Sequence, residues 1–295
     1  MRFGIMSTQM NLLVPPALQA GNLMSHLASF SHADLVRSIS VGGFNLVELG
    51  GDLEMLLPHL YTESAIKQLT ELKSELGVAY TVHLPLWSVE TSTPLVPVRQ
   101  GSIQAVIDHI RRVEPLKPEM YVLHATGALA AEFYRMKLTD LVKGFLLRQF
   151  QSGARDSVQK ILSETGIPSR KIAVETIEFP FEMTLALAEE LDLSICLDTG
   201  HILAGFSGSL DLFDVLEACL PRLGEIHLHD CPKQGAGQIG YGQDHQALGK
   251  GDLDITLLLD RLTEANYSGP IIFELTLEQA EESLAVIRAI KPGMI

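Results

Sequence analysis

GEIHLHD, residues 224–230, puts two imidazoles and a carboxylate at the end of a short alternating apolar run. In a β-strand, residues two apart share a face, so His227 and His229 point one way while Ile226 and Leu228 point the other. Asp230 has the outward parity and reads as a loop or cap residue. Taken alone, a histidine at a strand end is usually a hydrogen-bonded structural residue. The decision comes from recurrence. AYTVHLPL (79–86) carries His83, MYVLHAT (120–126) His124, KIAVETIE (171–178) Glu175, LSICLDTG (193–200) Asp198 with His201 just beyond, and PIIFEL (270–275) Glu274. Each time the apolar run comes first and the ionisable group stands near its C-terminal end.

With RFGIMST (2–8) and FNLVELGG (44–51) there are eight such runs, separated by segments of helical period such as ESAIKQLTELKSELG and LEQAEESLAVIRAI. Gly77 and Gly166 stop helices before strands three and five, and Ser268-Gly269-Pro270 precedes strand eight. The expectation is an α/β chain folded as a single (β/α)₈ TIM barrel over residues 1–295. A doubly wound open sheet is the rival, but neither GxGxxG nor GxxxxGK[ST] follows the first strand. Only a closed barrel brings polar groups so far apart in sequence to one mouth.

The extra length sits after strands, at about 8–32, 87–100 and 231–250. Loops after strands form the catalytic face of this barrel, so these insertions are expected to roof a site, the first as a lid with a short helix. The 295 residues contain 22 Lys plus Arg against 36 Asp plus Glu, a formal charge of -14. Duplex binders neutralise several phosphates with basic side chains, so nucleic acid is an improbable partner and a small molecule the better one. Three cysteines with no CxxC spacing suggest neither a disulfide framework nor a thiolate zinc cluster. The first residues have no basic and apolar leader pattern, and no apolar run is long enough for a bilayer, so the expected location is cytoplasmic, with no membrane partner.

Several imidazoles and carboxylates buried together need compensating charge, and a divalent cation supplies it. Nitrogen and oxygen donors without thiolates suit Zn, Mn, Fe or Co. Asp198-Thr199-Gly200-His201 forms a compact unit in which the carboxylate ends the strand, the glycine turns the chain and His201 returns over the mouth, although Asp198 could equally cap the next helix. Glu48 shares the inward parity of Leu46 and Gly50 and is a candidate outer partner; Glu178 rims the loop after strand five.

VHLP, LHATG, AVET, CLDTGH, IHLHD, DHQALGKGDLD and IIFEL together resemble the xylose-isomerase-like barrel superfamily, with its sugar isomerases and epimerases, endonuclease IV and small-molecule phosphodiesterases. The resemblance to the endonuclease IV branch implies His83, His124, Glu175, Asp198, His201, His227, His245 and Glu274 as ligands for one to three ions. It places His229 where those relatives carry an amide, as a substrate contact or outer partner, and Lys233 and Trp87 beside the substrate. That branch's Asp-x-His pair falls on Gln243-Asp244-His245, where the acid is replaced by Gln243 and Asp244 is displaced by one. The epimerase branch needs only Glu175, Asp198, His227 and Glu274 around one ion, with the two glutamates as acid and base. His83 and His124 exceed that need and favour a multi-ion phosphodiester hydrolase acting through metal-bound hydroxide, with Glu274 or Glu175 as proton acceptor. YTVHLPL, YVLH, DTGH and FELTLEQAEESLAVI are similar to the cobamide-remodelling phosphodiesterases, which makes a cobamide nucleotide loop a possible substrate. A sugar or sugar phosphate is the alternative, and abasic DNA is disfavoured by charge.

Overall fold

The computed structural model describes residues 1–9, 13–14, 18–235 and 237–294. Eight parallel strands close on themselves in sequence order: β1 (Arg2–Met6), β2 (Leu46–Gly50), β3 (Ala79–His83), β4 (Tyr121–Leu123), β5 (Ile172–Glu175), β6 (Ser194–Asp198), β7 (Leu223–His227) and β8 (Pro270–Phe273). Helices separate them, the longest Asp140–Thr165, and their apolar faces pack on the outward side of the strands in one continuous core. The (β/α)₈ barrel is the architecture the strand ends implied.

The strands are shorter than the apolar runs suggested, and the reason is local. Leu228 N still donates to Ile272 O of β8, but at His229 the chain leaves the ladder, its N–H donating to the Thr199 hydroxyl at 3.2 Å instead of to a neighbouring strand. Asp230 is fully buried and organises the following loop, its carboxylate accepting from the N–H groups of Cys231, Gly249 and Leu253.

Register sets the depth of each polar group. Gly50 pairs with His83, Asp198 with His227, and Glu175 with Cys196, which itself pairs with Glu225. Along their own strands Glu48, Thr81 and Glu225 stand two residues before Gly50, His83 and His227 and are fully buried beneath the mouth. Of the lid-type insertion at 8–32, residues 10–12 and 15–17 lie outside the described residues, and Leu23–Ser29 forms a short helix. Among the described residues no helix is long and apolar enough to cross a membrane.

Candidate active site

Glu175 is the hub. Its Oε2 lies 2.9 Å from His124 Nε2 and 3.2 Å from His83 Nε2; its Oε1 lies 3.3 Å from His201 Nδ1 and 3.5 Å from His227 Nδ1. Asp198 Oδ1 accepts from His201 N at 2.6 Å and so caps the short helix Thr199–Leu203, while its Oδ2 faces His229 Nε2 at 2.9 Å. One oxygen of Asp198 therefore caps the helix while the other enters the cluster. Glu274 bridges outward, with Oε1 3.3 Å from His227 Nδ1 and Oε2 3.2 Å from His245 Nε2. Four groups each bring ligand atoms within 4.8 Å of one another: three at the mouth, His83, His124 and Glu175; Glu175, Asp198, His227 and Glu274; and His201, His229 and His245; and one beneath it, Glu48, Glu225 and His227.

Backbone contacts fix which nitrogen of each ring faces the cluster. Leu84 O lies 3.0 Å from His83 Nδ1 and Thr176 O lies 3.1 Å from His201 Nδ1. A carbonyl only accepts, so Nδ1 carries a proton in both, and Nε2 is the nitrogen left to bind an ion once its own proton is displaced. His229 differs. It is fully buried, its Nδ1 accepts from His245 N at 2.9 Å, and its Nε2 is committed to Asp198. Both nitrogens of His229 thus meet groups of the protein, one on Asp198 and one on the His245 backbone. Gly200 makes room for this ring: a Cβ there would lie 2.1 Å from His229 Cε1 and Nδ1.

The charges are set by mutual contact. Burial opposes protonation of His83, but hydrogen bonding and proximity to Glu175 outweigh it and raise the imidazole to about 9. His201 is raised to about 9 against the same burial by Asp198 and Glu175, and His245 to about 11 by Asp244 and Glu274. Burial would lift Glu175 and Glu274, yet the imidazoles, His124 and His227 for Glu175 and His227 and His245 for Glu274, hold both below the usual carboxylate range. One layer deeper, burial and the neighbouring Glu48 push Glu225 well above that range.

These residues fit divalent cations. His227 Nδ1 is buried without a hydrogen-bond partner while facing three carboxylates, 3.3–3.9 Å from Glu274, Glu175 and Asp198. The ligand groups themselves offer nitrogen and oxygen only, the set expected for Zn, Mn, Fe or Co. Gln243 stays out of the cluster, its side chain accepting from Gln234 at the surface. Asp244 turns in instead, its Oδ2 2.9 Å from His245 Nδ1 and 3.9 Å from His201 Nε2. His245 adopts a left-handed backbone, φ 57°, and this departure lets the acid one position later reach the ring that the missing one would have faced.

Around the mouth, a cavity of about 340 Å³ is floored by His83, His124, Glu175, His201, His245 and Glu274 and walled by Thr8, Asp52 and Trp87. The Trp87 ring is 55% exposed beside it. Lys233 is not brought to this cavity; its ammonium pairs with Asp211 at 3.3 Å on the surface. A larger groove of about 990 Å³ lies between the helices Glu63–Leu76 and Val96–Val113 on the outer wall, away from the strand ends. Two residues escape the sequence reading. Asp244 stands one position out of register there, and Glu225, although it shares the inward parity of His227, has no role in it.

The barrel has counterparts among known proteins. A family model described as xylose isomerase-like TIM barrel matches residues 36–290. An uncharacterized protein of Methanocaldococcus jannaschii is 24% identical over 227 residues, 73% of this chain and 71% of that protein. Among solved structures, a D-tagatose 3-epimerase-like protein superposes with a TM-score of 0.72 at 19% identity, covering 98% of this chain and 97% of that one. Endonuclease IV from Thermus thermophilus does so with a TM-score of 0.65 at 18% identity, covering 98% of each. By the extent of the family match, the chain belongs to the xylose isomerase-like TIM-barrel family.

Proposed function

We propose that the protein is a divalent-metal-dependent hydrolase of a phosphodiester in a small molecule. The observation that carries this is Glu175: one carboxylate offers Oε2 to the His83 and His124 pair and Oε1 to the side occupied by His227 and His201. A carboxylate so placed joins two ligand groups, and a single-ion reaction would leave His83 and His124 idle. Divalent ions held by these residues would lower the pKa of an attacking water and neutralise charge on the phosphoryl oxygens.

The chain's own groups divide the remaining work. Glu175 is 1% exposed and serves to hold the two groups together. The Glu274 side chain is 10% exposed and lines the cavity, so it is the carboxylate that reaches an incoming water and takes its proton. His245, 3.2 Å from Glu274 Oε2, steadies that acid. Asp244 supplies the charge missing at Gln243. Trp87 offers an aromatic face for an apolar part of the substrate, which suits a cobamide nucleotide loop. A formal charge of -14 and no Lys or Arg lining the cavity argue for a small molecule over DNA.

A second reading is sugar epimerisation or isomerisation. It is favoured by the quartet Glu175, Asp198, His227 and Glu274, whose two glutamates approach the same His227 nitrogen at 3.5 and 3.3 Å. The deciding experiment counts metals per chain and assays bis(p-nitrophenyl) phosphate and a panel of ketoses on one preparation. Two or more ions with ester cleavage support hydrolysis. One ion with ketose interconversion and no ester cleavage sinks it.

A further inference from the structure

Beneath the mouth lies a polar pair that the proposed chemistry leaves unused. Glu48 on β2 and Glu225 on β7 are fully buried and point into the barrel with Thr81 of β3. Thr81 Oγ1 donates to Glu225 Oε1 at 3.0 Å. Among the described residues both oxygens of Glu48, the second oxygen of Glu225 and His227 Nε2 have no hydrogen-bond partner, yet His227 Nε2 lies 3.2 Å from Glu48 Oε2. Buried carboxylate oxygens without a donor are costly, so native folds rarely leave them unassigned.

His227 turns Nδ1 towards the acids of the mouth where His83 turns Nε2. His83 and His201 bind the carbonyls of Leu84 and Thr176, just past the ends of β3 and β5. His227 sits deeper, fully buried, and meets Glu48 instead. We propose that Glu48 is the positioning residue of His227, its carboxylate accepting the Nε2 proton and thereby turning the Nδ1 lone pair towards Glu175, Asp198 and Glu274. The opposite tautomer would set a nitrogen lone pair against the Glu48 carboxylate and leave a proton where the ion belongs. Among the described residues no hydrogen bond fixes the Glu48 carboxylate elsewhere, so it is free to turn towards the His227 N–H. A ring that binds a metal with one nitrogen commonly donates from the other to a carboxylate, and loss of that partner lowers metal affinity. The inference rests on reading His227 as a ligand and is independent of which reaction the site performs.

The test uses the full chain stripped of metal and titrated with Co(II), following affinity by competition with a chelating dye and coordination by the visible d–d bands. Glu48→Ala is expected to weaken one bound ion by about 10- to 100-fold and shift its bands. Glu48→Gln keeps an acceptor carbonyl at nearly the same volume and is expected to recover part of that affinity; it also serves as the reporting variant if the alanine chain fails to fold by circular dichroism. Glu225→Gln changes the neighbouring acid and is expected to leave Co(II) binding as in wild type. Wild-type affinity and spectrum in both Glu48 variants overturns the inference. So does loss of one whole equivalent in Glu48→Ala and Glu225→Gln alike with the other ions unchanged, which makes Glu48, Glu225 and His227 an ion site of their own. A wild-type chain that takes up no Co(II) overturns the metal reading as well, whereas uptake indifferent to Glu48 overturns this inference alone.

Discussion

Two populations of buried histidine share this chain, and they behave oppositely. His32 and His109 flank the Tyr61 ring between the helices and the barrel wall, with ring centroids 5.5 and 4.8 Å from it. Burial lowers each of them to about 4. His83, His201 and His245 at the mouth suffer burial too, yet their carboxylate neighbours raise them to about 9, 9 and 11. His109 has Glu54 at 2.9 Å, but Arg112 is paired with the same carboxylate and spends its charge elsewhere. The contrast separates packing from chemistry without reference to any relative: apolar burial makes neutral histidines, and uncompensated acids make a mouth that attracts cations.

The mouth population should collapse first when its hub is removed. Glu175→Gln takes charge from both groups that share it, and turnover is expected to fall by about 1,000-fold or more, within the range for loss of a group acting in the transition state. Metal analysis on the same protein should show fewer ions per chain. Wild-type metal content with unimpaired turnover would remove Glu175 from the centre of the site, and the contrast would then rest on electrostatics alone.

The outer population should announce itself in acid. The folded value of about 4 for His32 and His109 lies below their ordinary 6.5, so the neutral form stabilises the fold. That stability is complete above pH 6.5 and is lost as pH falls through about 4, at about 3 kcal/mol for each ring. The mouth histidines work in the reverse sense in the metal-free chain, stabilising below pH 6.5 and ceasing to do so as pH rises through about 9. Urea denaturation of metal-free protein between pH 4 and 7 measures the first arm. His109→Phe should flatten about half of its slope, and an unchanged slope would show that mouth carboxylates, not the outer rings, govern acid lability.

Fold and site were not equally open to inspection in the sequence. Six of the eight strands were legible because their apolar runs ended in an ionisable group, and the first two because their apolar runs kept the same alternation with helical segments. Strand ends were read too far, as at residues 224–230, because parity continues smoothly where pairing stops; Thr199 Oγ1 captures the His229 N–H, and no local signal announces that. The role of His229 was hidden for a related reason. Its commitment comes from Asp198, 31 positions away, and from a backbone N–H in the 231–250 loop. Asp244 was visible in the sequence only as an acid displaced by one, and its contact with the ring of His245, whose backbone is left-handed, had no local signal.

That hidden contact gives a smaller and sharper test. Gly200 has ordinary backbone angles, so its value is space: a methyl group would meet the His229 ring at 2.1 Å. Gly200→Ala should therefore displace His229 from Asp198 and loosen the His245 backbone, at roughly 1–3 kcal/mol, the usual range for overpacking. Thermal unfolding reads the stability change. If the variant is as stable as wild type and its metal content is unaltered, His229 does not organise the mouth.

Trp87 belongs to neither histidine population, which is why it reports on what the cation trap alone cannot specify. Its ring borders the cavity but touches none of the strand-end acids at hydrogen-bond distance, so its removal should leave metal content and the pH dependence of both histidine sets intact. An aromatic face that receives an apolar substrate group contributes on the order of 1 kcal/mol beyond simple burial. Trp87→Ala should then raise KM by up to about tenfold for a substrate with a ring system, with kcat nearly unchanged, because such a contact exists before and during reaction alike. Bis(p-nitrophenyl) phosphate and a dialkyl phosphodiester compared side by side make the point separable. A KM rise confined to the aromatic ester assigns the rim to substrate recognition; equal effects on both, or a fall in kcat with KM constant, would mean that Trp87 shapes the ion-binding floor instead.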